Sequence, residues 1–414
     1  MKMHAMLYTG VFFIIGTLFF NFSVSVANAG FFGNSTQNTV SQTPYLSGIF
    51  NKSWISNLFS GWRIQSEKII DVQQKYSVTI TPFTDGGRVD WSPQNLIAFD
   101  RKNGDGIYQV FTRKPDGSDE TCLSCKNSQL TGRGVGQPAW HPSDEFIVFQ
   151  VEKNEHPEGA FIKRQLNPGV GVFQDLWAMN VKSNQVYPLT NIPIGAGYGV
   201  LHPHFSSDGK KLAWSEMYEK PSLKKGYEFG KWKLKIADFQ VDKNGVRLAN
   251  IQEYQPGDDV FYENHGFSPD SRQLAFSSNL KKGTVVLSNN NIYLMDLRTK
   301  KLTQLTNKDY NEHAQFSPDG KKIIWITNKD NVNHGTDYWI MNANGSGKQR
   351  LTYFNTPGHS QQHNLDIGSR ETAADSSWSP DGNRFVAFYF TVDNIRNVLT
   401  SNVREHILMI TLKH

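Results

Sequence analysis

Apolar and polar residues alternate along most of the chain in short runs, and one motif recurs six times between these runs. Each copy has an aromatic residue, a turn related to Ser-Pro-Asp-Gly and then a short apolar run, as in Phe316 to Trp325. Proline presets the turn backbone and Asp-Gly tolerates its left-handed position, so each copy predicts two strands joined by a tight turn. The six aromatic residues are Trp91, Trp140, Phe205, Phe267, Phe316 and Trp378.

Each copy continues with the same parts. An alternating strand such as Ile292 to Asp296 is followed by a polar turn, and several copies close on a Leu-Thr pair such as Leu351-Thr352. Four short strands per unit with regular turn signals are typical of a propeller blade. Since an internal repeat determines the architecture, we predict an all-β fold, a six-bladed β-propeller over residues 76–414.

The last copy ends with a third strand, Ile407 to Leu412, and no fourth strand follows it. The missing strand is predicted to be Val78 to Thr84, which precedes the first copy. An N-terminal strand that completes the last blade would close the ring and leave no open sheet edge.

The N-terminal residues differ from the repeats. Residues 1–29 combine a weakly basic start, an apolar run and Ala27-Asn28-Ala29, which predicts a signal peptide; an uncleaved anchor is the alternative. Residues 30–75 are predicted to be a flexible, partly helical leader, with helical spacing of apolar residues from Ile49 to Ile70. We expect a periplasmic or secreted monomer without a transmembrane segment after cleavage.

The charge distribution and the cysteine content limit the classes of partner and of chemistry that the protein is expected to have. The formal charge is +5, but the basic residues are scattered, which argues against a nucleic-acid partner. The only cysteines, Cys122 and Cys125, form a C-x-x-C motif. In an oxidising compartment this motif predicts a local disulfide, and a redox motif is the alternative.

Candidate binding residues follow from the loop lengths. The Ser-Pro-Asp-Gly turns are short, whereas the connections at the opposite ends of the strands hold long insertions, such as 151–175 and 353–375. Function tends to lie on long loops of a rigid scaffold, so we expect a binding site on this long-loop face. Three residues before each repeat aromatic, the predicted mouth of the central channel carries Arg88, Gln137, His202, Asn264, His313 and Asp375.

Histidines are concentrated near this predicted mouth. Imidazoles and carboxylates that converge from several loops could hold a divalent metal such as Mn, Ca or Zn. The alternative is that these histidines form hydrogen bonds with neighbouring backbone and that the protein needs no cofactor. Nearby residues of the same types are His204, His265, Glu263, Glu312, His359 and His363.

The aromatic-Ser-Pro-Asp-Gly turns, the strand Ile292-Tyr293-Leu294-Met295-Asp296 and the closing Leu-Thr pairs resemble the repeats of TolB-type six-bladed propellers, periplasmic proteins of the Tol-Pal envelope system. This resemblance implies a protein or peptide partner in the cell envelope. A second segment, His202-Pro203-His204-Phe205-Ser206, is similar to oligogalacturonate lyases, manganese-binding propellers that cleave acidic sugars by β-elimination.

The second resemblance implies a ligand set and a substrate contact. His202, His265, His313 and His363 would hold the metal, and Arg88 or Arg370 would pair with a substrate carboxylate. Two functions therefore follow. The first is a non-catalytic binding or scaffold protein that uses the long-loop face and the channel mouth. The alternative is a metal-dependent lyase or hydrolase acting on a carbohydrate or another anionic small substrate.

Overall fold

The computed structural model of the chain describes residues 75–159, 166–243, 245–280, 284, 286–362, 370–392 and 403–413. The predicted signal peptide, residues 30–74 of the predicted leader and His363 lie outside these ranges. Among the described residues, no helix combines the length and the apolar character that crossing a membrane requires.

The described residues form 24 strands and one four-residue helix, α1 (Val286–Asn289), so the predicted all-β class is confirmed. The strands group into six antiparallel units of four, which we call units 1 to 6. Units 4 and 5 are joined into one eight-stranded sheet by a single parallel pairing of Asn290 with Tyr310.

The first three units contain twelve strands in chain order. Unit 1 comprises β2 (Gly87–Trp91), β3 (Ile97–Lys102), β4 (Tyr108–Arg113) and β5 (Thr121–Cys122). Unit 2 comprises β6 (Val135–Trp140), β7 (Phe146–Glu152), β8 (Gln174–Asn180) and β9 (Val186–Pro188). Unit 3 comprises β10 (Gly199–Phe205), β11 (Lys211–Glu219), β12 (Lys231–Asp242) and β13 (Gly245–Tyr254).

The other three units include the first strand of the chain. Unit 4 comprises β14 (Tyr262–Phe267), β15 (Gln273–Ser278), β16 (Asn290–Asp296) and β17 (Leu302–Gln304). Unit 5 comprises β18 (Asp309–Phe316), β19 (Lys322–Thr327), β20 (Asp337–Asn342) and β21 (Gln349–Arg350). Unit 6 comprises β22 (Arg370–Trp378), β23 (Arg384–Val392), β24 (Val403–Lys413) and β1 (Ser77–Asp85), which pairs with β24 from Ser77–Lys413 to Asp85–His406.

The recurring turn residues have a repeated hydrogen-bonding role. In unit 5 the Ser317 hydroxyl donates to Asp319 at 2.6 Å and accepts from the Lys322 backbone N–H at 2.9 Å. The same pattern recurs in units 3, 4 and 6. The closing threonine acts similarly, because Thr352 Oγ1 accepts from the Tyr338 N–H at 2.9 Å. These short polar contacts explain why Ser-x-Asp and Leu-Thr recur in several copies of the repeat.

The core lies between the units. The largest hydrophobic cluster contains residues of units 2 to 6, and Trp214, Trp232 and Trp325 are among the largest side chains that are fully buried. Burial of side chains of this size is the main favourable term in folding, at about 25 cal/mol per Å² of apolar surface. The framework that carries the first strands is therefore well packed.

The first strands of the units are arranged in a cycle of neighbours. Strands β2, β6, β10, β14, β18 and β22 each contact the next, and β22 also contacts β2. Each pairs with its second strand through an irregular register, for example between Leu201 and His204 and between Glu312 and Gln315. A bulge of this kind re-aims a side chain out of the regular alternation.

Candidate functional site

The bulges of the first strands carry the predicted binding residues. Gln137, His202 and His313 have positive φ angles of 50°, 51° and 51°, a backbone conformation that residues other than glycine seldom adopt. Strained backbone of this type clusters at functional sites. Five of the six residues are buried, with His202 and His313 each 3% exposed, and Asp375 is partly buried.

The structure brings His202, His313 and Asp375 together from three units. The Nδ1 atom of His313 lies 3.1 Å from Asp375 Oδ1, and the Nδ1 atom of His202 lies 3.4 Å from the same oxygen. Both imidazoles therefore turn the same ring nitrogen toward a single carboxylate. This leaves the Nε2 atoms of both rings directed elsewhere.

Two buried glutamates face those Nε2 atoms. The Nε2 atom of His202 lies 2.8 Å from Glu263 Oε1, and that of His313 lies 3.5 Å from Glu312 Oε2. Potential donor atoms of Glu263, Glu312 and His313 all lie within 4.8 Å of one another. A carboxylate that orients histidine through Nδ1 while Nε2 points to a common centre is the arrangement by which proteins position metal-binding histidines.

Several of these atoms have no aligned hydrogen-bond partner. Among the described residues, Oε1 of Glu263 and both ring nitrogens of His313 are buried without a hydrogen bond, despite the short distances given above. Buried polar atoms are almost always hydrogen-bonded, and an exception calls for an explanation such as a bound ion. The cluster thus has the donor atoms and the unmet bonding capacity that a cation would satisfy.

The imidazoles have strongly perturbed pKa values. Burial lowers the pKa of His202 to about 4 and holds that of His265 well below its usual value. Burial alone would also lower the pKa of His313, but the negative charges of Asp375, Glu263 and Glu312 raise it to about 10. The shift at His313 thus reflects the concentration of carboxylates around its ring.

The carboxylates respond to the same surroundings. Burial raises the pKa of Glu263 to about 7 and that of Glu312 well above its usual range. Burial would also raise the pKa of Asp375, but the positive charge of His313 and the neighbouring His202 hold it below its usual value. The Tyr310 hydroxyl donates a hydrogen bond to Glu312 and fixes its orientation.

Two other predicted residues fix the backbone of His202. The Gln137 side-chain oxygen accepts a hydrogen bond from the His202 N–H at 2.8 Å. The Nδ2 atom of Asn264 donates to the His202 carbonyl at 2.7 Å and to the Ala213 carbonyl at 3.2 Å, while its Oδ1 accepts from the Gly266 N–H at 3.2 Å. These residues position a histidine and are not themselves convergent donors.

The arginines predicted to bind a substrate carboxylate are engaged or buried. Arg88 forms a bidentate ion pair with Asp100, with Nε donating to Oδ2 at 2.6 Å, and a second ion pair with Glu405 at 3.5 Å. Asp100 also accepts from the Gln137 N–H at 2.8 Å. Arg370 is 1% exposed, and burial lowers its pKa to about 10.

His265 is near the cluster but bonds differently. Its Nε2 atom accepts a hydrogen bond from the His313 backbone N–H at 3.2 Å, so the backbone-bonding alternative applies to this nitrogen. Its other ring nitrogen, Nδ1, is buried without a hydrogen bond. His359 stacks on Tyr353, with ring centroids 4.5 Å apart.

A cavity of about 330 Å³ lies at the end of the units that carries the Ser-Pro-Asp-Gly turns, which we call the turn face, and it borders the cluster through His265. His204 and His265 line it, together with residues of all six units. A groove of about 790 Å³ lies on the long-loop face, where Asp105, Ile107, Glu152 and Glu158 line it. The two cysteines lie apart from both sites, and Cys122 and Cys125 form a disulfide with Cα atoms 5.6 Å apart.

Comparisons with known proteins bear on the fold. No protein-family model matches the chain, and no curated protein matches its sequence. Among solved structures, it is similar to TolB from Acinetobacter baumannii, with 15% identity over 78% of this chain and 65% of that chain and a TM-score of 0.48. It is also similar to putative TolB from Agrobacterium tumefaciens, with 13% identity over 82% of this chain and 98% of that chain and a TM-score of 0.43.

An oligogalacturonate lyase in complex with manganese is similar as well, with 11% identity over 82% of this chain and 98% of that chain and a TM-score of 0.47. Both resemblances noted in the sequence are thus found among solved structures. Sequence identities of 11% to 15% show a likeness of fold alone. The chain spans 65% of the length of the Acinetobacter TolB.

Sequence reasoning missed three contributors to the site. Asp100 links Arg88 to Gln137, and Tyr310 donates to Glu312. Asn290 Nδ2 donates to Glu312 Oε1 at 3.0 Å. Asn290 begins β16, Asp100 lies within β3 and Tyr310 is the second residue of the largely polar β18, so the three share no sequence signal.

Proposed function

We propose that the chain is an exported six-bladed β-propeller that holds one divalent metal ion at the centre of its ring and uses it in a lyase or hydrolase reaction. The observation that carries this proposal is a pair of overlapping buried groups, His202 with His265 and His313, and Glu263 with Glu312 and His313, whose potential donor atoms lie within 4.8 Å of one another and include unmet atoms of Glu263 and His313. The metal-dependent alternative from the sequence therefore becomes the preferred function.

The ring itself is supported by the strand contacts. Each first strand touches its neighbours in a cycle from β2 to β22 and back to β2. The pairing of β1 with β24 supports closure of the ring by the N-terminal strand. Export is supported by the sequence of residues 1–29, and a monomer fits a ring in which all units come from one chain.

The donor set indicates the kind of metal. Two imidazoles with two carboxylates suit Mn or Zn, whereas Ca prefers six to eight oxygen ligands. We propose that His202 and His313 bind through Nε2 and that Glu263 and Glu312 supply oxygens, with Asp375 orienting both rings. The proposed set leaves out His265, whose Nε2 already accepts a hydrogen bond from the His313 N–H at 3.2 Å.

When bound, a divalent ion polarises a substrate oxygen and lowers the pKa of a coordinated water. The residues of the chain prepare the site for this chemistry. Asp375 fixes the two rings, Tyr310 and Asn290 fix Glu312, and burial excludes bulk water from the charged groups. A dry, preorganised site of this kind strengthens electrostatic stabilisation of developing charge.

Metal analysis of the purified chain tests the proposal. We expect about one Mn or Zn ion per chain in the wild type and a large loss in His313→Ala. His334→Ala is the matched control, because His334 is exposed and lies outside the cluster. Wild-type protein without bound metal after growth with both ions, or equal metal in His313→Ala and wild type, would contradict the proposal.

A second candidate function is supported by the groove on the long-loop face. At about 790 Å³ this groove is large enough to hold a peptide segment, which favours the binding or scaffold function with an envelope protein or peptide partner. Ile107→Arg should abolish such a complex in cross-linking experiments. Val332→Arg is the control, because Val332 is 85% exposed and does not line the groove.

A further inference from the structure

We infer that small molecules approach the metal centre from the turn face, where His265 connects the cavity to the cluster, and that the cavity there admits a small uncharged, ring-sized molecule that carries a hydrogen-bond acceptor. This inference rests on the proposed metal-dependent function and names an uncharged ligand class for the same site, in place of the anionic substrate expected from the sequence. Loop lengths pointed to the opposite face.

The shape and the apolar wall of the cavity limit the size of the ligand. Its volume of about 330 Å³ is near the lower end for small-molecule sites, which suits one ring-sized ligand. The repeat aromatics contribute to the wall from all six units: Trp91, Trp140, Phe205, Phe267, Phe316 and Trp378. Prolines of several turns complete it, including Pro93, Pro142, Pro269 and Pro318.

The charges around the cavity exclude charged ligands. No lysine or arginine is among the residues that line it, so an anion finds no countercharge on the wall. The single lining carboxylate, Asp90, already accepts from the Trp140 N–H at 2.7 Å, the Trp91 N–H at 3.0 Å and the Ser377 hydroxyl at 2.9 Å. A cation would therefore compete with three existing hydrogen bonds.

His265 supplies a polar contact for the ligand. Because Nε2 accepts from the His313 N–H, a neutral ring carries its proton on Nδ1, which is then a donor. This Nδ1 atom is buried without a hydrogen bond in a side chain that is 2% exposed and that lines the cavity. An acceptor on the ligand would satisfy it.

The long-loop groove offers no comparable route. None of the four proposed metal ligands lines either opening, but the cavity is lined by His265, whose ring centroid lies 5.7 Å from that of His313, whereas the groove lining belongs to units 1 and 2. Residues at the ends of β3 and β4, such as Asp105, lie at the opposite end of the strands from the Ser-Pro-Asp-Gly turns, because connections alternate between the two ends of an antiparallel unit. The larger opening is therefore away from the cluster.

Chemical footprinting of the full chain tests the inference. Diethyl pyrocarbonate, a small uncharged reagent, should modify His204, as read by peptide mass spectrometry, with and without prior removal of metal by EDTA. Gln315→Trp, which fills the cavity, should slow this modification several-fold. Asp105→Trp, which fills the groove on the other face, should leave it unchanged. Ser207→Trp, at an exposed position that lines the cavity, is a second cavity-filling variant and should also slow the modification.

Three aromatic probes of similar size test the charge preference. Benzamide should protect His204 in the metal-free protein, whereas benzoate and benzamidine should not. The proposed route is overturned if His204 resists the reagent, or if Asp105→Trp protects it while Gln315→Trp and Ser207→Trp do not. The proposed ligand class is overturned if benzoate or benzamidine protects His204 at least as well as benzamide. Protection by benzamide in a chain that binds no metal would refute the proposed function and leave the access route standing.

Discussion

Asn264 connects the stability of the ring to the position of a metal ligand, and its replacement by alanine is a quantitative test. The side chain is fully buried and makes three hydrogen bonds, to the carbonyls of His202 and Ala213 and from the Gly266 N–H. Each such bond contributes about 1 kcal/mol net, and the groups left unpaired lose their solvation as well. We therefore expect Asn264→Ala to lower the free energy of unfolding by about 3 kcal/mol.

Urea denaturation followed by tryptophan fluorescence measures this change. Asn383→Ala is the matched control, because Asn383 is exposed in the turn of unit 6, and its effect should stay within about 0.5 kcal/mol. The three backbone groups belong to units 3 and 4, so the variant should also weaken metal binding by displacing His202. A loss below about 1 kcal/mol would refute the reasoning, since it would mean that water or local rearrangement satisfies all three groups.

Three further predictions address other parts of the molecule. Asp375→Asn should weaken metal binding by about 10- to 100-fold in a competition with a chelator, because it removes the carboxylate that orients both imidazoles; an unchanged affinity would argue against that role. Gly335→Ala should destabilise the fold by about 1–3 kcal/mol in thermal or urea unfolding, because a Cβ atom there would lie 2.0 Å from Asn355 Oδ1, whereas Gly104→Ala, with open space around it, should be neutral. Burial raises the pKa of Asp90 to about 6, so the folded state holds this proton more tightly than the unfolded chain, and the contribution of Asp90 to stability should fall by about 2 kcal/mol as the pH rises from 4 to 7. Asp90→Asn should remove that part of the pH dependence of unfolding, and an unchanged slope would contradict it.

The repeated elements could be predicted from the sequence because they are local. Ser-Pro-Asp-Gly encodes a turn whose hydrogen bonds join residues no more than five apart, as between Ser317 and Lys322. The position three residues before each aromatic also identified bulged or strained sites such as His202 and His313. A break in an otherwise regular repeat therefore marks positions of irregular backbone in the first strands.

The contacts between units could not be predicted in the same way. His202 and Asp375 are 173 residues apart in the chain, and only the arrangement of the strands brings their side chains together. Asp100 belongs to no motif, although it decides that Arg88 is engaged internally. Loop length indicated the long-loop face, but the cavity that borders the cluster through His265 is formed largely by residues of the short turns, and nothing in a turn sequence predicts a cavity.

The proposed metal centre is tested most directly by X-ray absorption spectroscopy at the Mn or Zn edge of the purified chain. We predict a first shell of nitrogen and oxygen ligands that includes two histidine imidazoles, and the imidazole signal should fall in His202→Ala and in His313→Ala. A first shell of oxygen ligands alone, or one that both variants leave unchanged, would show that the ion lies elsewhere and would contradict the central claim.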